Sequence, residues 1–332
     1  MKPAILDAYR EQIESGLSHA LRGGAPLRSL LRYHVGLEDE AGMPTHATGK
    51  LLRPSIVLFI AEQLGGTVER ALPSAVALEL IHGFSLIHDD IQDRDRTRRG
   101  RPAVWTVCGV EQAINAGDLM HTLAACIALD ASSTAAGCLL GATLEMIEGQ
   151  CLDLKFERRS ATTEEYLAMI DRKTGALLRC AFELGGISAN ADEQVLSDLV
   201  ALGHAVGRAF QIKDDLLGIW GDEATLGKAI GSDIRRRKKT LPVVWLLEQA
   251  NDEDRAMLAK LYNNEPSDAS IAKPDVEWVI ERLDALEARV SCEQMVHDNL
   301  AEANDKLQQL PFSENGKSKI HALIHFLARR EA

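Results

Sequence analysis

Aromatic side chains are scarce in this 332-residue chain, at 5% of its residues, so any large cavity it encloses is walled mainly by aliphatic groups. Positive charge is also short: 37 Lys and Arg stand against 49 Asp and Glu, a formal net charge of −12. A reader of polyanionic nucleic acid needs a basic surface, so nucleic acid is excluded as the main partner. The six cysteines (Cys108, Cys126, Cys138, Cys151, Cys180, Cys292) contain no Cys-x-x-Cys pair and sit in apolar stretches. Disulfide frameworks and zinc sites need spacings that are missing here, so we expect reduced, buried, small hydrophobes in a cytoplasmic protein. The N-terminus, MKPAILDAYREQIESGL, has acids among its apolar residues and lacks the apolar core of a signal peptide. No apolar run comes near the ~18–20 residues that span a bilayer, so no transmembrane segment is expected. Sustained period-two alternation is hard to find, which leaves strands little support.

What is present is helical. Hydrophobic residues make up 46% and charged residues 26%, enough for an ordinary folded protein with a sizeable core. Val276, Val279, Ile280, Leu283, Leu286 and Val290 form an amphipathic stripe with charges between them. The segments 55–64, 71–88, 135–154, 164–184 and 194–220 are rich in Ala and Leu. Leu241–Leu247 could be a buried strand on its own, but Thr240 as N-cap and Pro242 in the first turn predict a helix start. The polar breaks at 37–49 and 263–275 are too short and too complex for domain linkers. We expect one all-α domain over residues 1–332.

Two acidic motifs stand out. Asp89, Asp90 and Asp93 lie in LELIHGFSLIHDDIQDRDRTRRGRP. At ~100° per residue, Asp93 falls about 40° from Asp89, and His82 and Ser85 continue that stripe upstream. Carboxylates one turn apart repel unless neutralised, and Mg²⁺ accepts one or two of them beside phosphate oxygens. A solvated acidic helix end is the ordinary fate of Asp-x-x-x-Asp, but the apolar flanks and a second copy argue against it. That copy, AFQIKDDLLGIWGDEATLGK, carries Asp214 and Asp215 one turn after Gln211. Two such helices are expected to face each other across a cavity and hold a diphosphate through metal ions. Cations cluster locally in this acidic chain: Lys50 and Arg53 in GKLLRP, Arg98 and Arg99 in RRGRP, Lys173 with Thr174 in KTG, Lys228, and RRRKK at 235–239. Arginine offers forked donors to phosphate and lysine a mobile point charge. Most of RRRKK is expected to be a solvated run, with one residue reaching the site.

In their order, GKLLRP, IHGFSLIHDDIQD, RRGRP, GQCLDL (149–154), KTGAL, FQIKDDLL and LGKAIGSDIRRRKKT resemble the trans-polyprenyl (isoprenyl) diphosphate synthases from about Lys50 to Lys239. The resemblance implies an all-α fold with a deep central cavity, a homodimer, and magnesium, with three ions per site. It implies head-to-tail transfer of an allylic group to isopentenyl diphosphate. By position, Lys50, Arg53, His82 and Arg99 would contact isopentenyl diphosphate. Arg98, Lys173, Thr174, Gln211, Lys228 and Lys238 would hold the allylic diphosphate. Asp89, Asp93 and Asp214 would ligate metal, supported by Asp90 and Asp215. Phe84, five residues before the first motif, with Ser85 beside it, would set a short product, twenty carbons slightly ahead of fifteen. Gly218 departs from the family's third Asp in the second motif, with Asp222 a turn further; we expect Asp214 to suffice and Gly218 to leave room for a water. A class I terpene cyclase needs only one diphosphate site, against the two sets of cations here. A non-catalytic subunit of a heteromeric synthase would be expected to have damaged acid motifs.

Overall fold

The computed structural model describes residues 3–221, 230–262 and 270–329. Among these, helices carry nearly all the regular structure, and the one sheet is a pair of two-residue strands. The protein is all-α. It divides into two compact units: Met1–Thr143 with Arg179–Val200 and Leu310–Lys319, and Leu144–Leu178 with Ala201–Gln309 and Ile320–Ala332.

The first unit begins with α1 (Ile5–Ala8), α2 (Arg10–Ala20), α3 (Pro26–Val35), α4 (Leu52–Gln63) and α5 (Val68–Gln92). The hairpin β1 (Thr97–Arg98) and β2 (Arg101–Pro102), then α6 (Val104–Cys108) and α7 (Val110–Ala131), follow. Helix α5 is its axis. The Thr67 hydroxyl accepts from the Arg70 amide at 3.3 Å to cap its start. Ala71, Ala75, Leu78, Leu80 and Ile81 are all fully buried, as expected of a helix packed on several sides. α4 and α7 pack against it. Gly83 gives α7 close access: a Cβ there would lie 2.6 Å from the Met120 sulfur. Averaged over an 18-residue window, α5 is by length and composition apolar enough to cross a membrane, although it holds no unbroken apolar run of that length. Yet 67% of that window is buried inside the protein, so its apolar surface is already used in the core.

The second unit holds the C-terminal part of α8 (Ser133–Arg158), α9 (Thr163–Ile170), a π-helical turn (Asp171–Gly175), the start of α10 (Ala176–Ser188) and most of α11 (Glu193–Trp220). A capping box between Thr162 and Glu165 starts α9. Tyr166, Met169 and Ile170 from α9 pack with Ile212 and Leu216 from α11, and with Leu241, Val244, Cys292 and Val296. The segment at 241–247 is helical, within Leu241–Gln249, with proline in its first turn. Thr240 sits at the N-cap, but its buried hydroxyl makes no hydrogen bond.

Three expectations need correction. Val276, Val279 and Leu283 are buried, but Glu287 at φ +50° ends that helix, and Val290 stands 62% exposed on the next one. Only Cys180 and Cys292 are buried; Cys126 and Cys151 are exposed. The strands β1 and β2 went unread because two residues are too few to alternate. Phe182 is fully buried, and Phe182→Ala should cost about 3–5 kcal/mol, read as an earlier midpoint in urea unfolding.

Candidate active site

In the first unit, the hairpin sets the arginines. Arg98 pairs with Arg101 across it, leaving Arg99 and Gly100 as a two-residue turn with φ of +53° and +74°. Positive φ at both positions is the type I′ turn that suits strand twist. An arginine at the first position is strained, and such strain persists where the surroundings fix it. Arg101 supplies that anchor. Its Nη2 donates to the Tyr33 carbonyl at 2.6 Å and its Nη1 to the Glu38 carbonyl at 3.2 Å, and its guanidinium lies 4.6 Å from the Tyr33 ring centroid.

Arg99 lies along the backbone of Gly49, where a Cβ would approach its guanidinium carbon to 3.0 Å. The exposed Lys50 follows, between Gly49 and Leu51, both at positive φ. On α4, Arg53 Nη1 donates to His82 Nε2 at 3.2 Å. Arginine can only donate, so that imidazole nitrogen is an acceptor and the ring is neutral. Burial, and then the charge of Arg53, hold the His82 pKa well below its usual value. Arg53 Nε is buried with no hydrogen-bond partner. Glu79, one turn before His82 on α5, is buried; burial pushes its carboxyl up to about 7 although Arg99 and Arg53 pull the other way. Arg53, His82 and Arg99 therefore share one neighbourhood, with Lys50 next to it in sequence beside Gly49.

Asp89 is half-buried on α5 and Asp93 is its exposed C-cap, the Asp93 amide donating to the Asp89 carbonyl at 2.8 Å. Asp90 is buried between them in sequence and receives Arg98, whose Nε donates to Oδ1 at 2.8 Å. Burial raises the Asp90 pKa more than Arg98 lowers it, and Asp95 and Asp93 add to the rise. Its Oδ2 is buried without a partner. Among the described residues no three His, Cys, Asp or Glu side chains cluster as a complete metal cage. Magnesium fits such a set, because it needs only one or two carboxylates and completes its shell with phosphate oxygens and water.

In the second unit, Lys173 and Thr174 stand on the π-helical turn. Lys173 Nζ is paired with Asp153 of the GQCLDL segment. Gly149 allows that approach, since a Cβ there would fall 2.3 Å from the Lys173 backbone nitrogen. Thr174 Oγ1 donates to Gln211 Oε1 at 2.8 Å, and Gln211 Nε2 donates to Asp215 at 3.0 Å. Asp215 is buried and also accepts from the Tyr166 hydroxyl at 2.7 Å and the Leu241 amide at 3.1 Å. Burial raises its pKa to about 6 despite these bonds. Asp215 is thus spent on holding Gln211 and neighbouring helices in place, while Asp214 is half-buried beside it.

Two sequence readings change here. The space at Gly218 is filled by a side chain: a Cβ would meet Asp233 Oδ2 at 2.0 Å, which leaves no room there for a water. The RRRKK run is not a solvated face. Lys239 Nζ donates to the carbonyls of Phe156, Glu157 and Arg159 within 3.2 Å, closing the end of α8, and Arg237 Nε donates to the Leu261 carbonyl at 3.0 Å. Lys238 is exposed; Lys228 and Asp222 lie outside the described residues. Asp153, Tyr166, Asp233 and Glu79 were missed. Glu79 and Asp153 lay inside motifs already quoted, each a lone acid between two leucines.

The polyprenyl synthetase family matches residues 37–279. The (2E,6E)-farnesyl diphosphate synthase of Mycobacterium tuberculosis (strain ATCC 25618 / H37Rv) is 36% identical over 312 residues, covering 92% of this chain and 87% of its own. A geranylgeranyl diphosphate synthase of the same strain is 39% identical over 285 residues, covering 82% and 79%. Among solved structures, a polyprenyl synthetase from Streptomyces coelicolor A3(2) superimposes with a TM-score of 0.88 at 33% identity over 98% of both chains. The chain belongs to the polyprenyl synthetase family, among its short-chain trans-prenyl diphosphate synthases.

Glu79 gives a pH test of the first-unit neighbourhood. The folded protein keeps its proton to a higher pH than the unfolded chain does, so this group removes stability as pH rises from about 4.5 to about 7. Glu79→Gln should abolish that component, so the gap between variant and wild type in urea unfolding should widen in the variant's favour from pH 5 to pH 8.

Proposed function

We propose that the protein condenses isopentenyl diphosphate head-to-tail with an allylic diphosphate to give an all-trans product of fifteen or twenty carbons. The observation that carries this is the cation neighbourhood built around half-buried Arg53 on α4 and His82 on α5. Arg53 keeps an unpartnered donor beside a neutral His82 on the helix that ends in Asp89 and Asp93, with Arg99 close by and Lys50 near in sequence. Lys50, Arg53, His82 and Arg99 hold isopentenyl diphosphate. Arg98, Lys173, Thr174, Gln211, Lys228 and Lys238 donate to the allylic diphosphate, with Arg98 and Lys173 exchanging Asp90 and Asp153 for phosphate oxygens. Asp89, Asp93 and Asp214 would ligate magnesium, with three ions expected in all. When bound, magnesium neutralises the charge that grows on the departing diphosphate.

The allylic carbon–oxygen bond breaks, the double bond of isopentenyl diphosphate forms the new carbon–carbon bond, and a proton is lost to the released diphosphate. Fixed donors matter most where that charge develops. The aliphatic walls keep water from the cation, which fits the 5% aromatic content. Phe84 supports a short product. It is 8% exposed and meets His88 and His121 edge-on, with centroids at 4.9 and 5.2 Å. Ser85 beside it donates to the His82 carbonyl at 2.9 Å. We read the two units as parts of one catalytic domain, and assign a cytosolic site of action from the absence of paired-cysteine spacing. A homodimer is supported by exposed Leu140, Leu144 and Ile147 on α8, where Gly137 and Gly141 have nothing within 4 Å of a Cβ.

The deciding experiment is mass spectrometry of products from isopentenyl diphosphate with five-, ten- and fifteen-carbon primers. Wild type should stop at fifteen or twenty carbons and lose activity in excess chelator, and Phe84→Ala should add at least one five-carbon unit. Hydrocarbon release from a single allylic diphosphate would instead identify a cyclase. Light scattering should give a mass of two chains, and Leu144→Glu should shift it to one.

A further inference from the structure

The turn that carries Lys173 and Thr174 is an unusual piece of backbone. Asp171–Gly175 is π-helical, a form that occurs mostly as single turns and often at functional sites, and whose hydrogen bonds are not intrinsically favoured. Relaxing it to α-helical register would rotate one side of the turn by roughly 100° relative to the other. Something outside the turn has to hold it, and α11 presents the means along one face. His204, Gly207, Arg208 and Gln211 fall at helical spacing there.

Gln211 accepts from Thr174 at 2.8 Å, and a Cβ on Gly207 would lie 3.0 Å from the Gly175 Cα, so backbone approaches backbone. At the other end of the turn Arg208 Nε donates to Asp171 Oδ1 at 2.9 Å, its Nη2 donates to Oδ2, and His204 Nε2 lies 3.4 Å from Oδ2. Both carboxylate oxygens of Asp171 are engaged by one helix.

We propose that Asp171 is a positioning residue: clamped by Arg208 and His204, it fixes the π-helical turn so that Lys173 and Thr174 point at the allylic diphosphate. The proposal rests on the reading of Lys173 and Thr174 given above. The pair is more than a surface contact. Asp171 is half-buried, and burial alone would raise its pKa, yet the hydrogen bonds from His204 and Arg208 hold it down at about 2. A planar guanidinium meeting a carboxylate through two donors also fixes direction, which a lysine at 208 would not do. Asp171 touches no substrate in this scheme; it acts through the turn.

The experiment is steady-state kinetics with a ten-carbon allylic diphosphate and isopentenyl diphosphate varied separately, beside hydrogen–deuterium exchange over residues 171–175. Asp171→Asn and Arg208→Ala should each raise KM for the primer at least ten-fold while KM for isopentenyl diphosphate moves less than two-fold, and exchange in the turn should rise. Arg208→Lys should recover part of the loss. The swapped double variant, Asp171→Arg with Arg208→Asp, should be less impaired than the two single effects multiplied, which also guards against a single variant that folds poorly. Equal changes in both KM values, or single effects that simply multiply, overturn the proposal. Lys173→Ala separates two failures. If it raises the primer KM while the Asp171 and Arg208 variants do not, the clamp alone is wrong. If it leaves the primer KM unchanged, the reading of Lys173 is wrong and the clamp's role falls with it.

Discussion

An acidic protein that handles polyanions has to keep its few useful cations immobile and unneutralised by its own surplus of carboxylates, and the structure depends on how it does so. Four of its cations have internal partners that show how. Arg98 forks onto Asp90, Lys173 pairs with Asp153, and Arg101 and Lys239 are tied to backbone carbonyls. The carbonyl-bound pair are scaffolding, since a neutral acceptor leaves the charge intact but the side chain fixed. The carboxylate-bound pair are different: a half-buried ion pair has already given up part of its hydration, so exchanging one anion for another costs less than desolvating a free guanidinium.

The same economy of position governs the acids. Of the two adjacent aspartates in each motif, one is buried and committed to the protein, Asp90 to Arg98 and Asp215 to Tyr166, Gln211 and Leu241, while its neighbour is less buried. Adjacent residues on a helix point about 100° apart, so Asp-Asp is a device for facing two environments at once. That division of labour follows from helical geometry, although the doublets alone do not say which member turns inward.

The helices, their apolar faces and the neighbourhood of Arg53, His82 and Arg99 were legible because they rest on spacing within a helix and on motifs of fixed chemistry. What escaped was set by tertiary contact. The hairpin of Arg98–Arg101 is too short to have a period, and an arginine at positive φ violates local preference. Gly218 read as an empty place because the carboxylate that fills it arrives from Asp233, on another element. The basic run read as a solvated surface because periodicity is blind to carbonyls presented by a distant helix end. Asp171 and Arg208 drew no reading at all, as nothing local distinguishes a clamp from an exposed pair. Val290 continued a stripe that the backbone itself had already broken at Glu287.

The π-helical turn has one more consequence, for how this stretch of chain tolerates editing. Such a turn holds roughly one residue more than the α-helical turn it replaces. Removing a single residue between Asp171 and Gly175 would therefore let the backbone close into uninterrupted α-helix while the apolar faces of the flanking helices kept their orientation. The fold should survive that deletion far better than a one-residue deletion in α5, where every downstream side chain would turn away from its partner. Length variation in this family member is thus cheapest at the very turn that carries the proposed diphosphate donors Lys173 and Thr174.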